Sequence, residues 1–140
     1  MPVTDDAGLR ELLSADTVAV VGCSTTPGKP AHDVPRYLRE HGYEVVPVNP
    51  YADEVFGVPA ADGLADVDRE VALVNVFRPS EEVPGIVDDV LARRERVGDA
   101  WGLWLQLGIE AGDALARAET AGLRATQDRC LKVEHGRLID

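Results

Sequence analysis

Apolar residues fall along the chain in two alternating patterns: short unbroken runs, and spaced sets with helical period. The unbroken runs are TVAVVG (17–22), YEVVPVNP (43–50), EVALVNVF (70–77) and AWGLWLQLG (100–108), with a shorter LRATQD at 123–128. They predict strands: the first, continuous and apolar up to Gly22, one buried on both faces, and the second one stopped by Asn49-Pro50. VFGVP (55–59) predicts a short edge strand. The spaced sets predict helices. TDDAGLRELLSA (4–15) puts Leu9, Leu12 and Leu13 on one face, with Thr4 as a candidate N-cap. After the first strand, Val34, Tyr37 and Leu38 share a face. Pro35 lacks an N–H and belongs in a first turn, which predicts a helix beginning near His32. SEEVPGIVDDVLARRER (80–96) opens on Ser80 and two glutamates, and IEAGDALARAETAG (109–122) closes on a glycine.

Strand runs alternating with helical sets imply βαβ units with right-handed crossovers. The predicted fold is α/β: a Rossmann-like three-layer domain around a mainly parallel sheet of five to six strands. There is no internal repeat and no linker composition, so residues 1–140 are read as one domain, with the helix of 1–15 packed on it. In such sheets ligands lie beyond the carboxyl ends of the strands, where strand order reverses. Function is therefore expected on the loops 22–31, 49–54, 77–81, 105–109 and 128–130.

Composition narrows the ligand. The 140 residues carry 14 basic and 25 acidic side chains, a net charge of −11. That field disfavours nucleic acid and anionic membranes as partners, and an anionic ligand would need local donors. No apolar run has membrane-spanning length, and MPVTDDAGLREL has acids where a secretion signal would be basic and then apolar. The expected location is the cytoplasm, with Cys23 and Cys130 as reduced thiols.

The loop VAVVGCSTTPGKP (18–30) is the main chemical signal. A nucleotide-hydrolysing phosphate loop needs four residues between its glycines and a hydroxyl after the lysine. Here five separate Gly22 from Gly28, and Pro30 follows Lys29. A dinucleotide fingerprint would put glycines where Ser24 and Pro27 stand, and an acid at the end of the next strand, where the chain reads Val48-Asn49-Pro50. An NAD site is disfavoured. What remains is a glycine turn, Ser24, Thr25 and Thr26, and a helix N-terminus that offers N–H groups to phosphate. From the residues alone, a phosphate loop and an ordinary strand-to-helix turn weigh equally.

This loop, together with VVPVNP, NVFRPSEEVPGIV, WLQLGI and DRCLKVEH, resembles the small single-domain CoA-binding protein family. That fold is similar to the CoA-binding domain of the succinyl-CoA synthetase α subunit. The resemblance runs from about Asp16 to Leu138. It implies coenzyme A as the cofactor, with Gly22, Cys23, Ser24, Thr25 and Lys29 at the phosphates. It implies Asn49 and Pro50 near the adenosine, and Val76, Phe77 and Arg78 on the next loop. Tyr51-Ala52-Asp53 supplies no basic residue for the 3′-phosphate. The phosphorylated histidine and the partner subunit of the synthetase lie outside the resembling part, so the resemblance implies binding and no reaction.

The expectation is thus a protein that binds CoA or an acyl-CoA, a small-molecule ligand, without catalysis of its own. The alternative is an NAD(P)-binding oxidoreductase-type or acyl-CoA-transferring enzyme component. A protein partner or a homo-oligomer fits either reading. Arg78 suits a phosphate through its planar fork, and Phe77 or Tyr51 suits adenine. Cys23 reads as a small residue filling a tight turn rather than a nucleophile. Cys130 with His135 is half of a metal site at most, so no metal is expected. His32 reads as a cap or a phosphate donor, Asp128-Arg129 as an ion pair fixing the tail, Trp101 and Trp104 as core, and Glu81 and Glu82 as helix N-terminal charges.

Overall fold

The computed structural model describes residues 1–139. Its centre is a five-stranded sheet of β1 (Thr17–Val21), β2 (Glu44–Val48), β5 (Leu73–Val76), β6 (Gly102–Leu105) and β7 (Arg124–Thr126), in the order β2-β1-β5-β6-β7. Every neighbouring pair in it is parallel. The α/β, Rossmann-like expectation therefore holds, with five strands.

Strand alternation divides the core into two layers. Val18, Val20, Leu73 and Trp104 face α1 (Asp6–Leu13), α2 (Pro30–Glu40) and α5 (Leu131–Leu138). Ala19, Val74, Val76, Leu103 and Leu105 face α3 (Val83–Val97) and α4 (Gly112–Thr120). The two tryptophans part company. Trp104 is fully buried and its indole Nε1–H donates to the Arg129 carbonyl at 2.9 Å, whereas Trp101 is half-buried.

Four readings need correction. The 55–59 segment is not an edge strand of the main sheet. It belongs to a separate antiparallel hairpin, β3 (Glu54–Val55) and β4 (Val58–Pro59). Phe56 and Gly57 turn it back on themselves with φ of 58° and 74°, the pair of positive values a two-residue hairpin turn requires. Second, α2 begins at Pro30, and Pro35 lies inside it. Proline at the first helical position loses no bond, while Pro35 leaves the Ala31 carbonyl without its helical donor. That carbonyl accepts the Ser24 N–H at 2.9 Å instead. The helix break thus ties down the first loop. Third, α5 was not foreseen. Its only fully apolar anchors are Leu131 and the half-buried Leu138, and Gly136, a poor helix former, lies inside it. Asp128 and Arg129 do not pair with each other. Asp128 Oδ1 accepts the Gly108 N–H at 2.7 Å, and Arg129 reaches Glu134 of α5 at 3.6 Å.

One polar cluster is buried at the opposite end of the sheet from the candidate loops. Arg93 is 2% exposed and Asp99 7%. Arg93 Nε and Nη2 donate to the Asp99 carboxylate at 2.9 Å each, and its Nη1 and Nη2 also donate to the carbonyls of Leu64, Val67 and Arg69. Asp99 in turn accepts the Val71 N–H at 2.9 Å. One side chain thus ties α3 to the 64–69 segment and to the turn before β6. Burial alone would raise the Asp99 carboxyl, but the Arg93 and Val71 hydrogen bonds outweigh it and hold it below its ordinary 3.8.

Candidate functional site

Strand addition reverses between β1 and β5: β2 pairs on one side of β1, and β5, β6 and β7 follow on the other. The crevice beyond the strands' carboxyl ends at such a point is where open parallel sheets place ligands. A cavity of about 320 Å³ lies there. It is bounded by Gly22 after β1, Asn49, Pro50 and Tyr51 after β2, Asp62 and Gly63, and Arg78, Glu82 and Asp89 at and after the β5 loop.

The 22–29 loop is held by its own side chains. Gly22 has φ +88°, and a Cβ there would sit 2.9 Å from Arg78 Cδ and 3.3 Å from its Cγ. Only glycine lets the loop turn and the arginine stem pass. Ser24 Oγ accepts the Thr26 N–H at 3.0 Å. Asp33 accepts the Gly28 N–H at 3.1 Å, and His32 Nδ1 lies 2.8 Å from the Ser24 carbonyl. Asn49 Nδ2 donates to the Cys23 carbonyl at 2.8 Å, while its Oδ1 accepts the Tyr51 N–H at 2.8 Å. Among the described residues, the N–H groups of Cys23 and Thr25 have no acceptor within the chain. Cys23 is fully buried, so the exposed unspent donor on this loop is the Thr25 N–H.

The sequence-predicted residues separate into groups. Gly22, Asn49, Pro50 and Arg78 border the cavity. Ser24, Thr25 and Lys29 lie along the adjoining loop; Thr25 and Lys29 are exposed, and Lys29 has no ion pair among the described residues. Cys23 is fully buried, and desolvation pushes its thiol up to about 12. That matches the reading of Cys23 as a packed turn residue and opposes a lowered thiol. Val76 is fully buried in the α3/α4 layer, and Phe77 packs half-buried on the opposite layer. Both aim the chain toward Arg78 and present no face to the cavity. Tyr51, 93% exposed at the cavity edge, is the aromatic that adenine could meet.

Arg78 is already engaged. Its Nε and Nη2 donate to both oxygens of Glu82 at 3.2 and 2.7 Å, which raises the guanidinium further above its ordinary range. Glu82 is thus more than a helix-end charge. Glu82, Asp62 and Asp89 are cavity residues that sequence reasoning missed, because carboxylates on loops and exposed helix faces carry no pattern of their own. Desolvation, with repulsion from Asp88, raises the Asp89 carboxyl. His32 serves as a loop pin and also packs on Phe56 of the hairpin, 4.8 Å between ring centroids. No group of His, Cys, Asp and Glu suited to a metal occurs among the described residues.

Residues 16–136 match the family model described as a CoA binding domain. The chain belongs to that family. Among relatives of the CoA binding domain, YneT of Bacillus subtilis, an uncharacterised protein, is 36% identical over 130 residues, 92% of this chain and 93% of that protein. A solved Thermus thermophilus structure, cell-free ID.343, superposes with a TM-score of 0.88 at 42% identity, covering 97% of this chain and all of the other. An ADP-forming acetate–CoA ligase of Methanocaldococcus jannaschii is 27% identical over 84 residues, 60% of this chain but 12% of the enzyme. The CoA binding domain here thus corresponds to a small part of that ligase and to nearly the whole of YneT.

Proposed function

We propose that the chain binds coenzyme A or an acyl-CoA at the β1–β5 crevice, with the phosphates on the 22–29 loop, and carries out no chemistry of its own. The observation that carries this reading is the unspent N–H of the exposed Thr25, on the loop that leads from Gly22 to α2, in a member of the CoA binding domain family. Backbone donors at a helix N-terminus suit phosphate oxygens. Lys29 adds an exposed charge beside them. NAD is disfavoured because Asn49 stands where an acid would take the ribose hydroxyls, and both its polar atoms are held by the chain. Binding without chemistry is supported by Cys23, the thiol beside the loop, whose burial keeps it protonated. The reading places the protein in the cytoplasm, where the unpaired Cys23 and Cys130 stay reduced. No helix among the described residues is long and apolar enough to cross a membrane.

Thermal unfolding tests the ligand. CoA at about a hundred times its dissociation constant adds roughly 2.7 kcal/mol, a rise of about 5–10 °C for a chain of this length. NAD at equal concentration is expected to leave the midpoint unchanged. Equal shifts, or a shift with NAD alone, overturn the assignment. The partial match to the acetate–CoA ligase favours a second reading, a component of an acyl-CoA-forming assembly. Release of free thiol from acetyl-CoA by the pure protein, without any partner, would contradict both readings.

A further inference from the structure

The cavity beside the phosphate loop has walls of the wrong sign for a phosphate. Asp62, Glu82 and Asp89 border it, and Arg78 is the one cation among its lining residues. Arg78 is itself neutralised by two hydrogen bonds to Glu82, at 3.2 and 2.7 Å. Carboxylates accept hydrogen bonds and repel anions, so this wall suits hydroxyls and an exocyclic amine. The raised Asp89 carboxyl already reflects partial desolvation and, after it, repulsion from its neighbour Asp88.

The cavity also lies on the nucleoside side of the crevice. In open parallel sheets the pyrophosphate sits at the N-terminus of the first crossover helix, and the nucleoside reaches across the end of the second strand. Here the end of β2 supplies Asn49, Pro50 and Tyr51 to the cavity wall. Tyr51 is exposed there and offers a ring face to a base.

We propose that this cavity takes the nucleoside of the ligand with its ribose hydroxyls free, and discriminates against a 3′-phosphate, so that the dephospho form of CoA binds more tightly than CoA. The inference rests on the CoA reading above and adds the ligand's phosphorylation state to it. The 5′-pyrophosphate is held by the backbone donors of the loop. The 3′-phosphate of CoA would bring about two further negative charges against Asp62 and Asp89 with no unpaired cation beside them.

Titration calorimetry of the full chain with CoA and with dephospho-CoA, at low and high salt, reads the difference directly. Dephospho-CoA is expected to bind about three- to tenfold more tightly at low salt, with the ratio shrinking as salt screens the walls. In Asp62→Asn and Asp89→Asn the preference is expected to fall toward one, because CoA gains affinity while dephospho-CoA does not. CoA binding equal to or tighter than dephospho-CoA, with both in the measurable range, overturns the inference and leaves the CoA reading standing. A preference that survives both substitutions and high salt also overturns it, since repulsion is then not its cause. Binding of neither ligand removes the CoA reading and this inference with it.

Discussion

Gly22→Ala is the substitution that most directly links the fold to the site. Two costs follow from its geometry. Its φ of +88° lies where an L-residue is disfavoured by about 1–2 kcal/mol. In addition, the new methyl would stand 2.9 Å from Arg78 Cδ, in the middle of the side chain rather than at a mobile tip. Arg78 must then swing away and give up its two bonds to Glu82, an exposed pair worth about 0.3–0.5 kcal/mol. A total of about 2 kcal/mol corresponds to a fall of roughly 4–8 °C in the unfolding midpoint. The contact can be isolated with a double-mutant cycle. Arg78→Ala alone removes only the exposed pair, and in Gly22→Ala/Arg78→Ala the collision is gone. The double variant is therefore expected to be more stable than the sum of the single losses, by about 0.5 kcal/mol or more. Urea unfolding of the four proteins measures it. Additive losses would show that Gly22 and Arg78 are not in contact, and a Gly22→Ala midpoint equal to wild type would refute the positive-φ turn as well.

Two further predictions concern groups away from the cavity. Arg93→Ala leaves Asp99 buried without its cationic partner and the Val67 and Arg69 carbonyls without their donor, so a loss of about 3–5 kcal/mol is expected in urea unfolding. Because Asp99 is held below its ordinary 3.8, its contribution is present at neutral pH and disappears as pH falls through that lowered value. Asp99→Asn should then be less stable than wild type at pH 7, with the gap narrowing in acid; a gap independent of pH contradicts the ion pair. Cys23, with its thiol near 12, holds only about one part in ten thousand as thiolate at pH 8. Iodoacetamide should label the half-buried Cys130 and spare Cys23 until the protein is unfolded, and mass spectrometry of the peptides would reveal early labelling of Cys23 if the turn were open.

The sheet was legible because its strands are buried on both faces. Val18–Val21, Val45–Val48 and Leu73–Val76 read as apolar runs for the same reason that both core layers need them. The main errors fall where packing or backbone chemistry overrides pattern. In α5 half of the residues are exposed and the apolar period is lost, yet Leu131 is buried in the core and His135 is buried against Tyr37 and Tyr43. The 55–59 segment has strand composition, but its Phe56-Gly57 turn spends that composition on a hairpin. Pro35 announces a missing donor, but it stands inside α2 and not in its first turn. Its consequence was not legible, because it depends on Ala31 facing Ser24 across the loop.

The site shows a deeper limit of the same kind. Side chains that a reader of sequence would assign to the ligand, namely Ser24, His32, Asn49 and Arg78, each make a hydrogen bond or ion pair within the chain. They hold the loop and its surroundings, and the exposed Thr25 N–H is left free. On the CoA reading, the phosphate donors are therefore backbone atoms whose availability no residue type announces. This explains why both glycine fingerprints fail on this loop although the turn geometry persists: Gly22 alone needs positive φ beside a close neighbour, while the positive-φ Gly28 has open space around it. It also accounts for an anionic ligand on a chain of net charge −11. Fixed N–H dipoles act at contact distance, whereas the acidic surface acts through solvent that screens it within about 8–10 Å at physiological salt. The acidic cavity walls stand nearer than that, so they are the part of the field a ligand would sense, and the end of the ligand placed against them decides whether they repel it or bind it.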